Sequence, residues 1–393
     1  MEFGLADDKA ALQAMAADFL AHECDLDFAR RHDEAGTFPA DLYRKLGELG
    51  WLGIPFAAEY GGSEGDALDE AIVLEQLGRA MGPLASAFLI SVLTCGKTIR
   101  DLGTPQQRAQ WLPPLITGEA MLAFALTEPQ AGSDAAALRT RAVAAGGGWV
   151  LNGQKIFCTG ATLARQLLVM ARTDTGSTAE RGAISMFVVD TDSAGLTVAP
   201  IPKLGLHPYP SCMIFLDDVR LPPGALLGAL HQGWPHLATS LNRERLAISA
   251  MCTGMAQAAL DVAGQYAGER HQFGRPLADF GAIRTHIAAM TAAVEGARAL
   301  TLRAAWLEAS GMPSTRAASM AKIRSTEAAV DAARLGMQVL GGYSYTMEYP
   351  MQRFLRDALI HPIAGGSNEI QRNIIARDLE RGLAAGTGGA GCS

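Results

Sequence analysis

The chain divides into three zones whose order limits its fold more than any single motif. From about residue 5 to about 118 the apolar residues recur at helical spacing. Between residues 121 and 222 short β-branched and aromatic runs take over, broken by Gly, Asp and Pro: WVLNGQKIFCT, QLLVMAR, ISMFVVD, LTVAPI and SCMIFLDDVRL. From about 231 to 380 long helical patterns return. A sheet zone set between two helical blocks is not a doubly wound α/β domain. No Gly-x-Gly-x-x-Gly follows a strand, so no Rossmann dinucleotide site is expected.

The expected class is therefore mainly α with a central β domain. It is divided as an N-terminal helical domain 1–120, a middle β domain 121–228, a C-terminal helical bundle 229–382 and a flexible tail 383–393. Local signals support the helices. Ala67, Ile72, Leu74 and Leu77 keep a helical period that ends near Gly82-Pro83. Thr104, Pro105 and Gln107 form an N-cap, a first-turn proline and a capping box. In LIHPIAGGSNEIQRNIIA, Asn368 and Gln371 fit another capping box, with Ile370, Ile374 and Ile375 opening an apolar face. A loop entering that helix would by itself explain Gly365 and Gly366.

At 393 residues the chain is long enough for two or three domains. Its formal charge of -7 offers no basic footprint, so nucleic acid is not an expected partner. No continuous run of ~18 apolar residues is present, so no membrane span is expected. The acidic, amphipathic N-terminus lacks the order of a signal peptide. Cys24, Cys95, Cys158, Cys212, Cys252 and Cys392 stand singly, without zinc spacing, and read as reduced thiols in a cytoplasmic protein with no metal.

Three stretches carry candidate chemistry. FALTEPQAGSD supplies hydroxyls at Thr127 and Ser133 around a turn through Pro129 and Gly132, although an ordinary polar turn has the same composition. In NGQKIFCTG, Asn152-Gly153 is expected to turn a hairpin, with Phe157 and Thr159 facing one side of the strand that follows. In LATSLNRERLAISAMCTGM and its continuation, Leu237, Leu241, Ile248, Met251, Met255, Val262 and Tyr266 form one helical stripe. Glu244 falls on that stripe. Its helical neighbours Ser240, Leu241, Ala247 and Ile248 include no cation, so it has no local ion pair. It either pairs at long range, with an arginine of another helix, or carries a raised pKa.

TEPQAGSD, NGQKIFCTG, FLDDVRLP, AGERHQFGRPL, QVLGGYSYT, RDALI and GGSNEIQRNIIA occur in the order seen in acyl-CoA dehydrogenases. The resemblance covers roughly residues 10–380. It implies an N-terminal helical domain, a middle β-barrel or sheet domain, a C-terminal four-helix bundle, and FAD held between sheet and bundle. It also implies a homo-oligomer, a dimer or tetramer, with FAD sites shared between subunits. Carried over, Phe124, Leu126, Thr127, Gly132 and Ser133 would meet the flavin, Thr159 would bond near N5, and Phe157 would cover one face. Arg270 and Phe273, with Gln338, Gly341 and Gly342, would reach the FAD across a subunit boundary, and Phe280, Ser367 and Glu369 would also contact it. Glu369 equally suits the first turn of a helix as an acid against the macrodipole. Gly281, where the family often has Gln, leaves one polar FAD contact without its side chain. Ser133, Asn242, Arg245 and Gly366 are assigned to the thioester and its carrier.

The implied reaction is FAD-dependent α,β-dehydrogenation of an acyl thioester, with CoA or an acyl carrier protein as carrier and electron-transfer flavoprotein or another acceptor downstream. The family often places its catalytic glutamate where Gly365 stands. Gly365 cannot be a base, but its N–H can still polarise the thioester oxygen. Isovaleryl- and long-chain acyl-CoA dehydrogenases instead carry the glutamate on a C-terminal-domain helix just before an arginine, as Glu244 precedes Arg245 here. Glu244 is thus the expected base. Two other readings share the fold: a flavin monooxygenase or oxidase, and a non-catalytic subunit of a hetero-oligomer.

Overall fold

The computed structural model describes residues 4–173 and 183–387. Cys392 and the end of the expected tail lie outside the described residues. The N-terminal block comprises α1 (Asp7–Glu23), α2 (Leu26–Ala35), α3 (Ala40–Glu48), α4 (Ala67–Ala80), α5 (Gly82–Ala87), a π-helical stretch Phe88–Gly96, α6 (Lys97–Leu102) and α7 (Pro105–Ile116). Thr104 caps α7, accepting from the Gln107 N–H while the Gln107 side chain accepts from the Thr104 N–H. Asp66 and Asp69 make the same reciprocal cap on α4.

The middle block is one eight-stranded sheet: β1 (Leu122–Ala125), β2 (Arg141–Ala145), β3 (Gly148–Thr159), β4 (Gln166–Arg172), β5 (Ile184–Asp190), β6 (Leu196–Pro200), β7 (Ser211–Leu221) and β8 (Leu226–Leu227). Its order is β6-β7-β3-β2-β4-β5-β8, with β1 parallel to β4. The hairpin expected at Asn152-Gly153 is not there. Both residues lie inside β3, where the register against β7 shifts, and the β2–β3 turn is made by Gly146 and Gly147 at φ 60° and 80°. Asn152 instead donates its side chain to Asp218 across the bulge.

The C-terminal block comprises α8 (Gly233–Glu269), the small hairpin β9 (His271–Gln272) and β10 (Arg275–Pro276), α9 (Gly281–Ala309), α10 (Thr315–Leu340), α11 (Met351–Ala358) and α12 (Asn368–Thr387). Helix α12 therefore continues to Thr387, through the first residues expected in the tail. The second capping box is also corrected. Ser367 is the cap, accepting from the Ile370 N–H, because the Asn368 and Gln371 side chains are drawn to α10 and the glycine loop. Two helical stretches, Gly82–Leu102 and Gly233–Glu269, are long and apolar enough to cross a membrane, although scattered Ser, Thr and Gly interrupt any continuous apolar run. Within the most apolar 18 residues of each, 94% and 78% are buried against the rest of the chain, as in core helices.

A buried ion pair ties the sheet together. Lys155, on β3, places its Nζ 2.8 Å from Glu128 Oε1, and both side chains are enclosed. Glu128 also accepts from the Arg139 and Thr140 N–H groups, and Lys155 donates to the Leu126 carbonyl. Burial would raise the Glu128 carboxyl, but Lys155 and the N–H donors outweigh it and hold the group below its usual range. Removing one partner strands the other charge. Lys155→Met should therefore cost about 3–5 kcal/mol in a urea titration, and Glu128→Met with Lys155→Met should recover most of that. Because the folded carboxyl is depressed, the stability from Glu128 is complete above pH 4.5 and lost as pH falls through the lowered value. A single variant as stable as the parent would contradict this account.

Candidate active site

Helix α8 delivers Glu244 on the stripe read from sequence: Leu237, Ile248, Met251 and Met255 are buried, and Leu241, Val262 and Tyr266 are partly buried against the core. The Glu244 carboxylate has no hydrogen bond and no ion pair among the described residues, so a partner arginine from another helix is absent. Desolvation raises its pKa, opposed by the charges of Arg245 and Lys322. Arg245 is half-buried, and its Nε is enclosed without an acceptor. Arg243 is not free for a phosphate: it pairs with Asp101 and lies 3.6 Å from Glu308. Asn242 donates to Ser314 and Glu308.

The loop before α12 faces this helix. Gly365 and Gly366 are left-handed, at φ 62° and 77°, and their carbonyls accept from Gln371 at 3.4 and 2.8 Å. Neither glycine N–H has an acceptor among the described residues. A Cβ on Gly365 would lie 3.6 Å from Glu244 Oε1 and 2.2 Å from Ile248 Cδ1. The carboxylate of Glu244 thus sits beside the space that a side chain at 365 would enter, and two unused donors lie on the same loop.

On the sheet, Phe157 occupies a bulge at φ 59° and is 62% exposed. Cys158, next in sequence, is buried opposite Cys212, so Phe157 and Thr159 share the open face. Thr159 Oγ1 lies 3.0 Å from Ser211 Oγ. Phe124, Leu126 and Thr127 are partly buried, Gly132 and Ser133 are exposed, and the N–H groups of Gly132 and Ser133 have no acceptor among the described residues. An exposed ring, a hydroxyl pair and unpaired N–H donors suit a flat, polar-edged aromatic cofactor. The Thr127 carbonyl accepts from the Ile156 N–H, so Glu128 and Lys155 anchor both arms of this surface. Sequence reading does not single out that pair, although both residues lie within quoted motifs. An enclosed Lys in a strand is the signal that points to it.

A second group lies far from the first. The β9–β10 hairpin carries Phe273 at its tip, 93% exposed, and Arg270 at its base, over the Tyr343 ring. Gln338, Gly341 and Gly342 are exposed nearby at the end of α10, and Phe280 packs against Phe273. The end of α8 is roughly 38 Å along the helix from Glu244, at about 1.5 Å per residue. One chain therefore does not bring Arg270, Phe273, Phe280, Gln338, Gly341 and Gly342 to Glu244. Ser367 is used as the cap, and exposed Glu369 is held low by its own N–H and the Ser367 hydroxyl, as a first-turn acid should be.

The fold in which these residues sit is shared with a known family. Three family models match: acyl-CoA dehydrogenase N-terminal domain at residues 6–119, middle domain at 123–219 and C-terminal domain at 231–380. The chain belongs to the acyl-CoA dehydrogenase family, oxidoreductases acting on CH–CH donors. It is 39% identical over 380 residues to a probable acyl-CoA dehydrogenase, YngJ, of Bacillus subtilis (strain 168), covering 96% of this chain and 100% of that one. Butyryl-CoA dehydrogenase from Megasphaera elsdenii is similar in structure, with TM-score 0.92, 32% identity and coverage of 96% and 100%. So is the FAD complex of PigA, with TM-score 0.92, 29% identity and coverage of 97% and 99%.

The conformation of Gly365 is itself testable. Gly365→Ala should lower stability by ~1–2 kcal/mol for the left-handed backbone alone, with the Ile248 contact added. Urea titration checks it, and an unchanged midpoint would mean the loop is not held as described.

Proposed function

We propose that this protein catalyses α,β-dehydrogenation of an acyl thioester, CoA- or carrier-protein-bound, with FAD as cofactor and Glu244 as the base. One observation carries the reading: the Glu244 carboxylate lies beside the space above Gly365, unpaired, while the loop keeps its free N–H groups. Bound FAD would supply the hydride acceptor for the β-hydrogen. The chain's own part is to take the α-proton and to stabilise the charge that develops on the thioester oxygen. An α-proton beside a thioester is too weakly acidic for an unaided carboxylate, so donors aimed at the developing enolate must contribute several kcal/mol. The Gly365 N–H is the donor assigned here. Desolvation makes Glu244 a stronger base, and Phe157 and Thr159 offer the surface on which the flavin would be oriented.

Reduction by substrate requires ionised Glu244, and its pKa is raised. The rate should therefore climb with pH through a value above the ordinary 4.5. Glu244→Gln should keep fold and flavin but slow anaerobic flavin bleaching by ~10²–10⁴-fold. Gly365→Glu added to it should restore part of the rate, limited by the left-handed backbone and by Ile248. Bleaching at the parent rate in Glu244→Gln would sink the assignment. Oxygen consumption driven by NADH would instead mark a monooxygenase or oxidase, and flavin bound only with a partner would mark a non-catalytic subunit.

The distance between the two residue groups supports a homo-oligomer, a dimer or tetramer, in which Arg270, Phe273 and Gln338 serve the FAD of a neighbouring copy. Electron-transfer flavoprotein or another acceptor would reoxidise it, in a cytoplasm that keeps the five described, buried thiols reduced. Arg270→Ala should release flavin and loosen the oligomer together, read by absorbance and sedimentation. Full flavin content in that variant would count against the shared site.

A further inference from the structure

Beneath the glycine loop lies a second buried charge. Ser319, Lys322 and Thr326 of α10 are spaced three and four apart, and all three are wholly enclosed. Their partners bracket Gly365 and Gly366. Ser319 donates to Gln371, Lys322 Nζ donates to Asn368 Oδ1 at 3.0 Å and reaches the Pro362 carbonyl at 3.4 Å, and Asn368 donates to Thr326. Every acceptor of Lys322 is neutral. Among the described residues no carboxylate comes within ion-pair distance of its Nζ.

An enclosed ammonium without a counter-ion is costly, and a carboxamide and a carbonyl compensate only part of that cost. Two carboxylates lie in its field, Glu244 and Glu369; Glu369 is exposed and screened by solvent, which leaves Glu244 as the opposite charge on a packed helix. Glu244, Ile248 and Cys252 occupy successive turns of α8, which packs on α10, and Lys322 interacts with both Glu244 and Cys252. The two charges thus flank the Gly365 loop from different helices, each unpaired within contact distance, and each lies in the field of the other.

We propose that Lys322 is a positioning residue for the base: a buried counter-charge that holds Glu244 ionised and, through Pro362 and Asn368, fixes the loop that polarises the thioester. This rests on the reading of Glu244 as the base. Other groups facing the pair are Arg245 on α8, Cys95 of the π-helical stretch opposite Glu244, Cys252 on α8, Glu369 on α12, and His361. Burial and Lys322 together pull His361 down to about 4, so it is neutral where Lys322 is charged. Burial draws Lys322 itself down to about 8, so the counter-charge is present at neutral pH and lost above that value.

The test is the pH profile of flavin reduction by a thioester substrate in the flavin-loaded protein. Lys322→Met should move the acid limb up by ~1–2 pH units, the size expected for removing one charge several ångströms away at an effective dielectric of about 20. Lys322→Arg should leave that limb in place, because it keeps the charge. A purely structural lysine would lower the rate equally at every pH. An acid limb in Lys322→Met that coincides with the parent's overturns the proposal, as does an equal shift in Lys322→Arg. If Lys322→Met does not hold flavin, the same coupling is read in reverse, since it must be reciprocal. In Glu244→Gln, the Lys322 titration followed by ¹³C NMR of Cε-labelled lysine should fall by a similar ~1–2 units, and an unmoved titration overturns the proposal. A parent without any acid limb would instead sink the base reading itself.

Discussion

Burial of charge without an ion-pair partner is the constraint around which this site is arranged. Elsewhere several enclosed charges are paired. Glu70 meets Lys97 at 2.7 Å, Glu128 meets Lys155 at 2.8 Å, and Glu75 meets Arg298 at 2.9 Å. Glu244 and Lys322 have no ion pair among the described residues, and neither do enclosed Arg353 and Asp357, but Glu244 and Lys322 stand on two packed helices on either side of one glycine loop. A carboxylate left without a partner is a stronger base, and a cation left without a contact partner acts at a distance. The paired charges hold the sheet and helices in place, while an unpaired charge beside a loop with free donors is the arrangement a reactive group would need.

Gly365 makes that arrangement sterically feasible. Its left-handed backbone and missing side chain let Ile248 and Glu244 fill the space above it. The Gln371 side chain pins the two glycine carbonyls, which leaves their N–H groups uncommitted. A missing side chain at 365 and an acid at 244 are therefore complementary in space, one on a loop and the other on the helix it faces.

Much of this was legible in the sequence because it is local. ISMFVVD and QLLVMAR announce strands by their β-branched runs, and those runs coincide with β5 and β4. Glu244 was legible because it breaks an apolar stripe that a 3.6-residue period makes visible. What misled was chemistry with two uses. Asn-Gly serves a bulge as well as a hairpin, and the run Gly146-Gly147 took the turn. Asn368 and Gln371 had capping spacing, but a buried Lys322 competes for the Asn368 carboxamide and wins it. The Glu128–Lys155 pair spans 27 residues and a strand crossing, so no local pattern carries it. The division of cofactor residues into two groups was legible only through the resemblance, since helix length shows their separation but not what joins them.

Proton removal can be isolated from hydride transfer, and that separation tests the central claim most directly. A thioester with sulfur in place of the β-methylene has no β-hydrogen to give up, yet its α-protons remain. Incubated in D₂O with the flavin-loaded protein, such a compound should lose its α-proton signals in NMR. With Glu244→Gln the exchange should fall to the rate seen without protein, while flavin content and fold stay unchanged. Exchange in Glu244→Gln as fast as in the parent would contradict the account and place the base elsewhere.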